Sequence, residues 1–513
     1  MGWADLARRL LLTGEQPLEL RIGRAGIGWL VGLYAAAALA APLLYLGWHL
    51  EAYADGSYFS FALLARQSWD YVWSNFPGRL STFLLCVEPA AAWLALTGDD
   101  AGALRLYGML FGAMPLLGLL ASLAVLPRHA RGELLWPAVS FLVFGLLTLG
   151  FPTETWLTQS AFWPLLFAIR HLPEHPAGRR GHLAALVLLG AVYVFSHEAM
   201  VLGLPLLALA ALRLRGGPGG RRLLATVAAV FAALLLAWVA VKVGLRPPNA
   251  ETTERVAANQ FSLLMPKAQL TNPLLQKAGI VLALLVPAWL LWPRFLQTSR
   301  ARRAAILSVA AAVLAAALVA AWGLYGPHRY AARAVVLFAT PALGLLCLLT
   351  RLDTGEALPA GDRPRVRFDA WPYLPVVVLA LVLHLGEGAK FLREWARFSA
   401  LLGAVADGRA PLEGQPSLGL LPEGEPPPPA GPGQGFPGRD TPWQLSWNWT
   451  LPFNSFLVAE GFAPRQIVHN RYARYDPVSC DQLRALAVAG TGLGEHGLRL
   501  LRDYACAHGR PPG

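Results

Sequence analysis

The chain has 513 residues, of which 55% are hydrophobic and only 14% charged, and its mean hydropathy is +0.45. That much apolar sequence exceeds what a soluble core needs and describes a multi-span membrane protein. The formal charge of +12 does not indicate a nucleic-acid binder, because the arginines sit in short clusters between apolar runs, as in the cytoplasmic loops of membrane proteins.

Residues 1–24 form a charged amphipathic amino terminus (WADLARRLLL) without a small-residue cleavage site, so the first apolar run is expected to remain as an anchor. Windows of about 20 apolar residues predict spans near 25 to 49, 102 to 126, 134 to 151, 155 to 170, 183 to 197, 199 to 213, 221 to 244, 274 to 293, 304 to 325, 331 to 350 and 371 to 389. The expectation is an all-α polytopic membrane protein with about 11 transmembrane helices. Its core runs over 25–390, with a first outer loop at 50–101.

Arginine bias gives the orientation. Arg8, Arg9, Arg21 and Arg24, then Arg128 and Arg131, Arg170, Arg179 and Arg180, Arg213 to Arg222, Arg294 to Arg303 and Arg351 to Arg367 all fall on one side, which is read as cytoplasmic. The segment Glu51 to Ala101, the loop Arg246 to Asn272 and everything after Lys390 are then extracytoplasmic. A Pro/Gly-rich linker closes the segment 391–440, and a small domain is expected over 441–513. In that domain Cys480 and Cys506 are the only cysteines outside apolar sequence, so a disulfide on the oxidising face is expected. Trp447, Trp449, Tyr472 and Tyr475 offer either a small aromatic core or surfaces for sugar rings. NWT at Asn448 matches a glycosylation sequon, a triplet frequent by chance.

Ionisable groups at the outer edge are the functional evidence, because charge near the hydrocarbon is costly and is kept for pairing or for chemistry. Glu51 and Asp55 are spaced i, i+4 after the first span, which puts both carboxylates on one face of a continuing helix; a solvated helix end is the plain alternative. Glu154 lies in FPTETW, a short break that a polar turn residue would also explain. His197 and Glu198 interrupt an apolar run into halves of about 15 residues, short for full spans, which sets them in a polar break or pairs them with each other. Lys242 closes a long span. GPHRYAAR supplies His328, Arg329, Tyr330 and Arg333 at the mouth of another, where bidentate guanidinium suits a phosphate or carboxylate. Arg333, a turn deeper, is equally placed to snorkel to the surface.

This series resembles the GT-C class of membrane glycosyltransferases, which includes protein mannosyltransferases and the lipid A aminoarabinose transferase. The resemblance is carried by EAYADGSYFSF after the first span, DDAGALRLYGML entering the second, PTET with Glu154, SHEAM with His197 and Glu198, and HRYAARAVVLF at a late span. It covers about Arg24 to Lys390, and each motif is short. SHEAM departs from the class, which often has a basic residue, proline and an acid there, and the proline expected after Arg329 and Tyr330 is missing.

The resemblance implies inverting transfer of a sugar from a polyprenyl-phosphate or pyrophosphate donor to a lipid, glycan or protein acceptor at the outer face of a bacterial cytoplasmic membrane. Asp55 is expected as the base, with Glu51 second. Arg329 is expected at the donor phosphate, helped by His328, Tyr330, Arg333 and His197, with Glu198, Glu154 and Lys242 lining the site. Glu51, Asp55 and Glu154 offer oxygens to a divalent cation, but the first loop has no D-x-D and no tight structural metal is expected. Two other readings are an O-antigen ligase or polymerase, with chemistry in the Arg246 to Asn272 loop around Arg255 and Lys267, and a secondary transporter, which predicts inverted repeats not found in the sequence.

Overall fold

The structure is a computed structural model that describes residues 18–21, 24–69, 77–150, 154–174, 179–216, 219–244, 329–353, 366–367, 373–410, 450–465, 467–471, 474–478 and 495–508. The spans expected near 274 to 293 and 304 to 325, and the loop with Arg255 and Lys267, lie outside the described residues.

Strand β1 (Leu18–Arg21) leads into α1 (Arg24–Trp48), an Ala/Leu-rich helix long and apolar enough to cross a membrane. A 3-10 turn over Leu50–Ala52 and the short helix α2 (Gly56–Leu64) follow. Next come α3 (Leu80–Thr97), α4 (Asp100–Gly112) and α5 (Met114–Val125), with α4 and α5 bent by 45° at a break where Pro115 opens the second half. Helix α6 (Arg128–Thr148) is the most buried of the apolar helices of span length, and α7 (Thr155–Arg170), α8 (Arg179–Val194), α9 (Leu204–Arg213) and α10 (Gly220–Gly244) complete the first part. The later part contains α11 (Arg329–Leu349), β2 (Thr350–Asp353), β3 (Val366–Arg367), α12 (Tyr373–Ala406), α13 (Leu451–Val458), the antiparallel pair β4 (Ile467–Arg471) and β5 (Arg474–Val478), and α14 (Glu495–His508).

Among the described residues four helices are long and apolar enough to span a membrane, or five if the bent pair α4–α5 counts as one span. The protein is a helical membrane protein on this evidence. Several expected spans appear as shorter helices: α9 has 10 residues, and α7 and α8 have 16 each.

The two ends of the bundle are chemically distinct. At one end β1 runs parallel to β2 and β3, with Leu18 opposite Thr350 and Leu20 opposite Val366. The guanidinium groups of Arg170 and Arg213 donate to the carbonyls of Cys347 and Leu348, closing the carboxyl end of α11, and Arg170 also pairs with buried Glu133 at 3.1 Å. Arg21, Arg170, Arg213, Arg351 and Arg367, which the sequence assigns to one face, therefore lie on segments that meet at one end. At the other end lie the 3-10 turn, α2 and the carboxyl-terminal segments.

Two boundaries differ from the sequence reading. The loop expected over 50–101 contains α3, a helix of span length, because LSTFLLCVEPAAAWLALT carries a single charge, Glu88. Both of its ends sit at the α2 end of the bundle: the Ser81 amide donates to the Phe195 carbonyl, and Asp100 beyond its far end acts electrostatically on Tyr504 of α14. The core was expected to stop at Lys390, yet α12 continues to Ala406. Its extension is amphipathic, burying Phe391, Trp395, Phe398 and Leu402 while Glu387–Lys390 and Glu394–Arg397 pair along the exposed side.

The described residues of the tail pack against α2. Phe61 of α2 meets Phe453 and Phe456 of α13 and Tyr504 of α14 at 5.0, 5.0 and 5.2 Å between ring centres. Cys86 and Cys347 are buried free thiols. The expected pairing of Cys480 with Cys506 rests on Cys480, which lies outside the described residues.

Helix approach depends on glycine at the bend. A Cβ on Gly112 would stand 2.8 Å from Pro42 Cα and 3.0 Å from Pro42 N, backbone atoms of α1 that cannot move aside alone. Gly112→Val is expected to lower stability by about 1–3 kcal/mol. Gly32→Val, where nothing lies within 4 Å, is the neutral control; equal thermal midpoints for the two variants in detergent would refute the close approach.

Candidate functional site

The turn that follows α1 is built under strain. His49 and Ala54 both adopt positive φ of 51°, a region that costs a non-glycine residue of order 1 kcal/mol or more unless its surroundings enforce it. The enforcement is visible. Ser57 Oγ donates to Ala54 O at 2.8 Å, Ser60 Oγ to Glu51 O at 3.0 Å, and the Trp395 indole to Trp48 O at 3.0 Å. Tyr53 lies edge-on between Phe391 and Trp395 of α12, at 5.0 and 5.2 Å. This turn delivers Asp55 to the amino terminus of α2, where its side chain makes no capping hydrogen bond.

Glu51 does not share an open helix face with Asp55, because the chain leaves α1 and bends before reaching either residue. It is buried, with Oε1 at 3.1 Å from His49 Nδ1, while Oε2 has no hydrogen-bond partner and abuts Gly108 of α4. Burial raises its carboxyl above the ordinary carboxylate range. Tyr107, the residue before Gly108, is buried within electrostatic reach of Asp55, Cys86 and Glu154, and its hydroxyl has no hydrogen-bond partner.

Glu154 opens α7 and belongs to a buried ion network. Arg79, just before α3, donates from Nη1 to Glu154 Oε1 at 2.8 Å, from Nε to Glu198 Oε2 at 3.1 Å, and lies with Nη2 3.0 Å from the same Glu198 oxygen. Lys242 pairs with the other Glu198 oxygen and stands over the Trp238 ring at 5.0 Å. Two carboxylates face two cations, so the network is balanced, and it ties together four segments distant in sequence.

His197 and Glu198 were one candidate pair, and they lie within ion-pair distance while their hydrogen bonds go elsewhere. His197 caps the 3-10 turn Glu198–Leu202, its Nδ1 accepting from the Ala199 amide at 3.0 Å. With that nitrogen engaged, its 3.7 Å approach to Glu198 is proximity and not a hydrogen bond. Glu198 turns instead to Arg79 and Lys242. Beside this break, Thr158, Gln159, Tyr193, Val336, Leu337 and Thr340 line a narrow crevice between α7, α8 and α11.

Of the GPHRYAAR group, Arg329, Tyr330 and Arg333 lie in the first turns of α11, while His328 lies outside the described residues. Among the described residues no three His, Cys, Asp or Glu side chains gather as a metal ion would require: Glu51 is turned to His49, and Glu154 to Arg79. Sequence reasoning missed His49, Arg79 and Tyr107. Arg79 was the most findable, since NFPGRLST sets one arginine directly before an apolar helix, where it needs a partner.

The chain matches no family model, no curated protein and no solved structure.

Proposed function

We propose that this protein is a membrane glycosyltransferase that moves a sugar from a polyprenyl-phosphate or pyrophosphate donor to an acceptor hydroxyl at the membrane face carrying α2 and the tail. The observation that carries the reading is the convergence around Tyr107. Asp55, carried by a strained, braced turn, and Glu154, locked to Arg79, both act electrostatically on Tyr107. Backbone strain held in place by packing is characteristic of working sites.

In the reaction the acceptor oxygen attacks the anomeric carbon as the bond to phosphate breaks, and the bonding electrons leave with the phosphate. Asp55 takes the acceptor proton. Arg329 at the start of α11 is assigned to the departing phosphate, with His328, Tyr330 and Arg333 beside it. Arg79 is assigned a different task, since both of its carboxylate partners are already in place: it holds Glu154 and Glu198 at the two breaks that shape the cavity. Lys242 holds Glu198 from the other side of the network, over the Trp238 ring. The tail, packed on α2 through Phe61, is suited to acceptor recognition.

The test is incubation of the purified protein in nanodiscs with a panel of polyprenyl-phosphate and polyprenyl-pyrophosphate sugars, following release of the free lipid phosphate. Consumption of one sugar class is expected. A protein that consumes none while binding and translocating a soluble solute would replace this reading with transport.

A further inference from the structure

A neutral imidazole has one N–H and one lone pair and donates to a single carboxylate, whereas an imidazolium donates to two. His171, the residue directly after α7, stands between two carboxylates. We propose that its doubly protonated ring is a pH-dependent latch, which closes the arginine-rich end of the bundle while charged and releases the turn after α7 when the proton is lost.

The geometry asks for the charged ring. His171 is buried, with Nε2 3.1 Å from Glu133 Oε2 of α6 and Nδ1 3.3 Å from Glu174 Oε1 in the 3-10 turn Leu172–Glu174. Ionised carboxylates accept hydrogen bonds and do not donate them. A neutral ring therefore keeps one contact and sets its lone pair against the other oxygen, in an interior of low dielectric where that repulsion is poorly screened. The hydrogen bond runs to Glu133, whose side chain is 1% exposed against 33% for Glu174, so Glu174 is the partner that gives way.

Each element packed at this point contributes a group. From α6 come Glu133 and His129, from α7 Arg170, from the turn Glu174, from α9 Arg213 and from α11 the Cys347 thiol, 4.0 Å from Glu133 Oε2. Arg170 holds Glu133 Oε1 at 3.1 Å and donates to the Cys347 carbonyl, so Glu133 is shared by the last residues of α7 and is joined through Arg170 to α11. His129 Nε2, half-exposed, lies 3.0 Å from Glu174 Oε2 and keeps that acid when His171 lets go. Burial acts to lower His171, but the Glu133 carboxylate, joined by Glu174, outweighs it and holds the ring above the usual imidazole value. The latch is then fully closed below the ordinary imidazole value of about 6.5 and opens as pH rises through the raised one.

The test uses the full chain in nanodiscs with nitrogen-15 in its histidine rings, read by NMR titration and by hydrogen exchange over 168–174 corrected for the intrinsic pH dependence of exchange. In the unaltered protein both His171 nitrogens should carry protons at low pH, and protection of that segment should fall about tenfold as the ring titrates. Glu174→Gln, a change at a partly exposed site, removes the need for a second donor because the amide can donate to Nδ1. The His171 titration should move down by about one pH unit, and the loss of protection with it. His171→Gln assigns the signal and should exchange at one corrected rate across the range, while His129→Gln should leave the pH-dependent opening in place. Protection independent of pH in the unaltered protein, an unmoved titration in Glu174→Gln, or a response abolished by His129→Gln would each overturn the latch. Should His171→Gln fail to fold, the shift in Glu174→Gln decides alone.

Discussion

Replacing Arg79 with methionine should cost about 3–5 kcal/mol of stability, the loss expected when one member of a buried ion pair is removed and its partner is stranded. Arg79 is buried, and Glu154 is more so, with Oε1 bonded to Arg79 and Oε2 lacking any hydrogen-bond partner. Glu198 fares better in the variant, because it keeps Lys242. The double variant Arg79→Met, Glu154→Gln should therefore recover much of the loss, since it removes the stranded charge, and the two changes should be far from additive. Arg79→Lys should fall between, because an ammonium cannot reach two carboxylates with the fork geometry of guanidinium. Thermal unfolding of the detergent-solubilised variants decides the matter: a methionine variant as stable as the parent, or a double variant no better than the single, would show that the network does not brace these segments.

The same network explains what the sequence could and could not disclose. Spans are legible because each is a local property, a run of apolar residues of sufficient length. The Arg79 pairs are not local: Glu154 is 75 residues away and Glu198 is 119. A single arginine in NFPGRLST looks like any loop charge until the partners are known. His197 and Glu198 show the limit of adjacency: they stay within 3.7 Å of each other, yet His197 also accepts from the Ala199 amide and Glu198 bonds across to Arg79.

Boundaries failed for a related reason. A hydropathy window closes at the first cluster of charges, so Lys390 and Arg393 ended the last predicted span. The helix itself responds to a different pattern, apolar residues every three or four positions, and continues to Ala406. That continuation supplies Phe391 and Trp395, which hold Tyr53 and hence the acidic turn. The acids Glu51 and Asp55 were legible as a candidate pair, but their division of labour was not. The i, i+4 spacing assumes a continuous helix, and the positive φ at His49 and Ala54 breaks it, sending one carboxylate into the core and leaving the other at the head of α2.

Asp55→Asn is the sharpest test of that division, with an expected loss of transfer activity of about 10²–10⁴-fold. Asparagine is chosen because it serves a helix amino terminus as well as aspartate does and is nearly the same size. Asp55 makes no side-chain capping bond in α2, so a capping contribution is small in either case. The variant should fold and unfold like the parent while its turnover collapses, since the amide cannot accept the acceptor's proton. Glu51→Gln should retain more activity than Asp55→Asn, because Glu51 stands behind the reacting atoms and not at them. Ala54→Gly tests the strain itself: glycine relieves the cost of φ 51° and should stabilise the turn by a few tenths to about 1 kcal/mol. The same freedom lets Asp55 wander, so activity should fall as stability rises. An Asp55→Asn protein with undiminished transfer would remove this residue as the base, and an Ala54→Gly protein gaining stability at full activity would show that the strained turn serves packing alone.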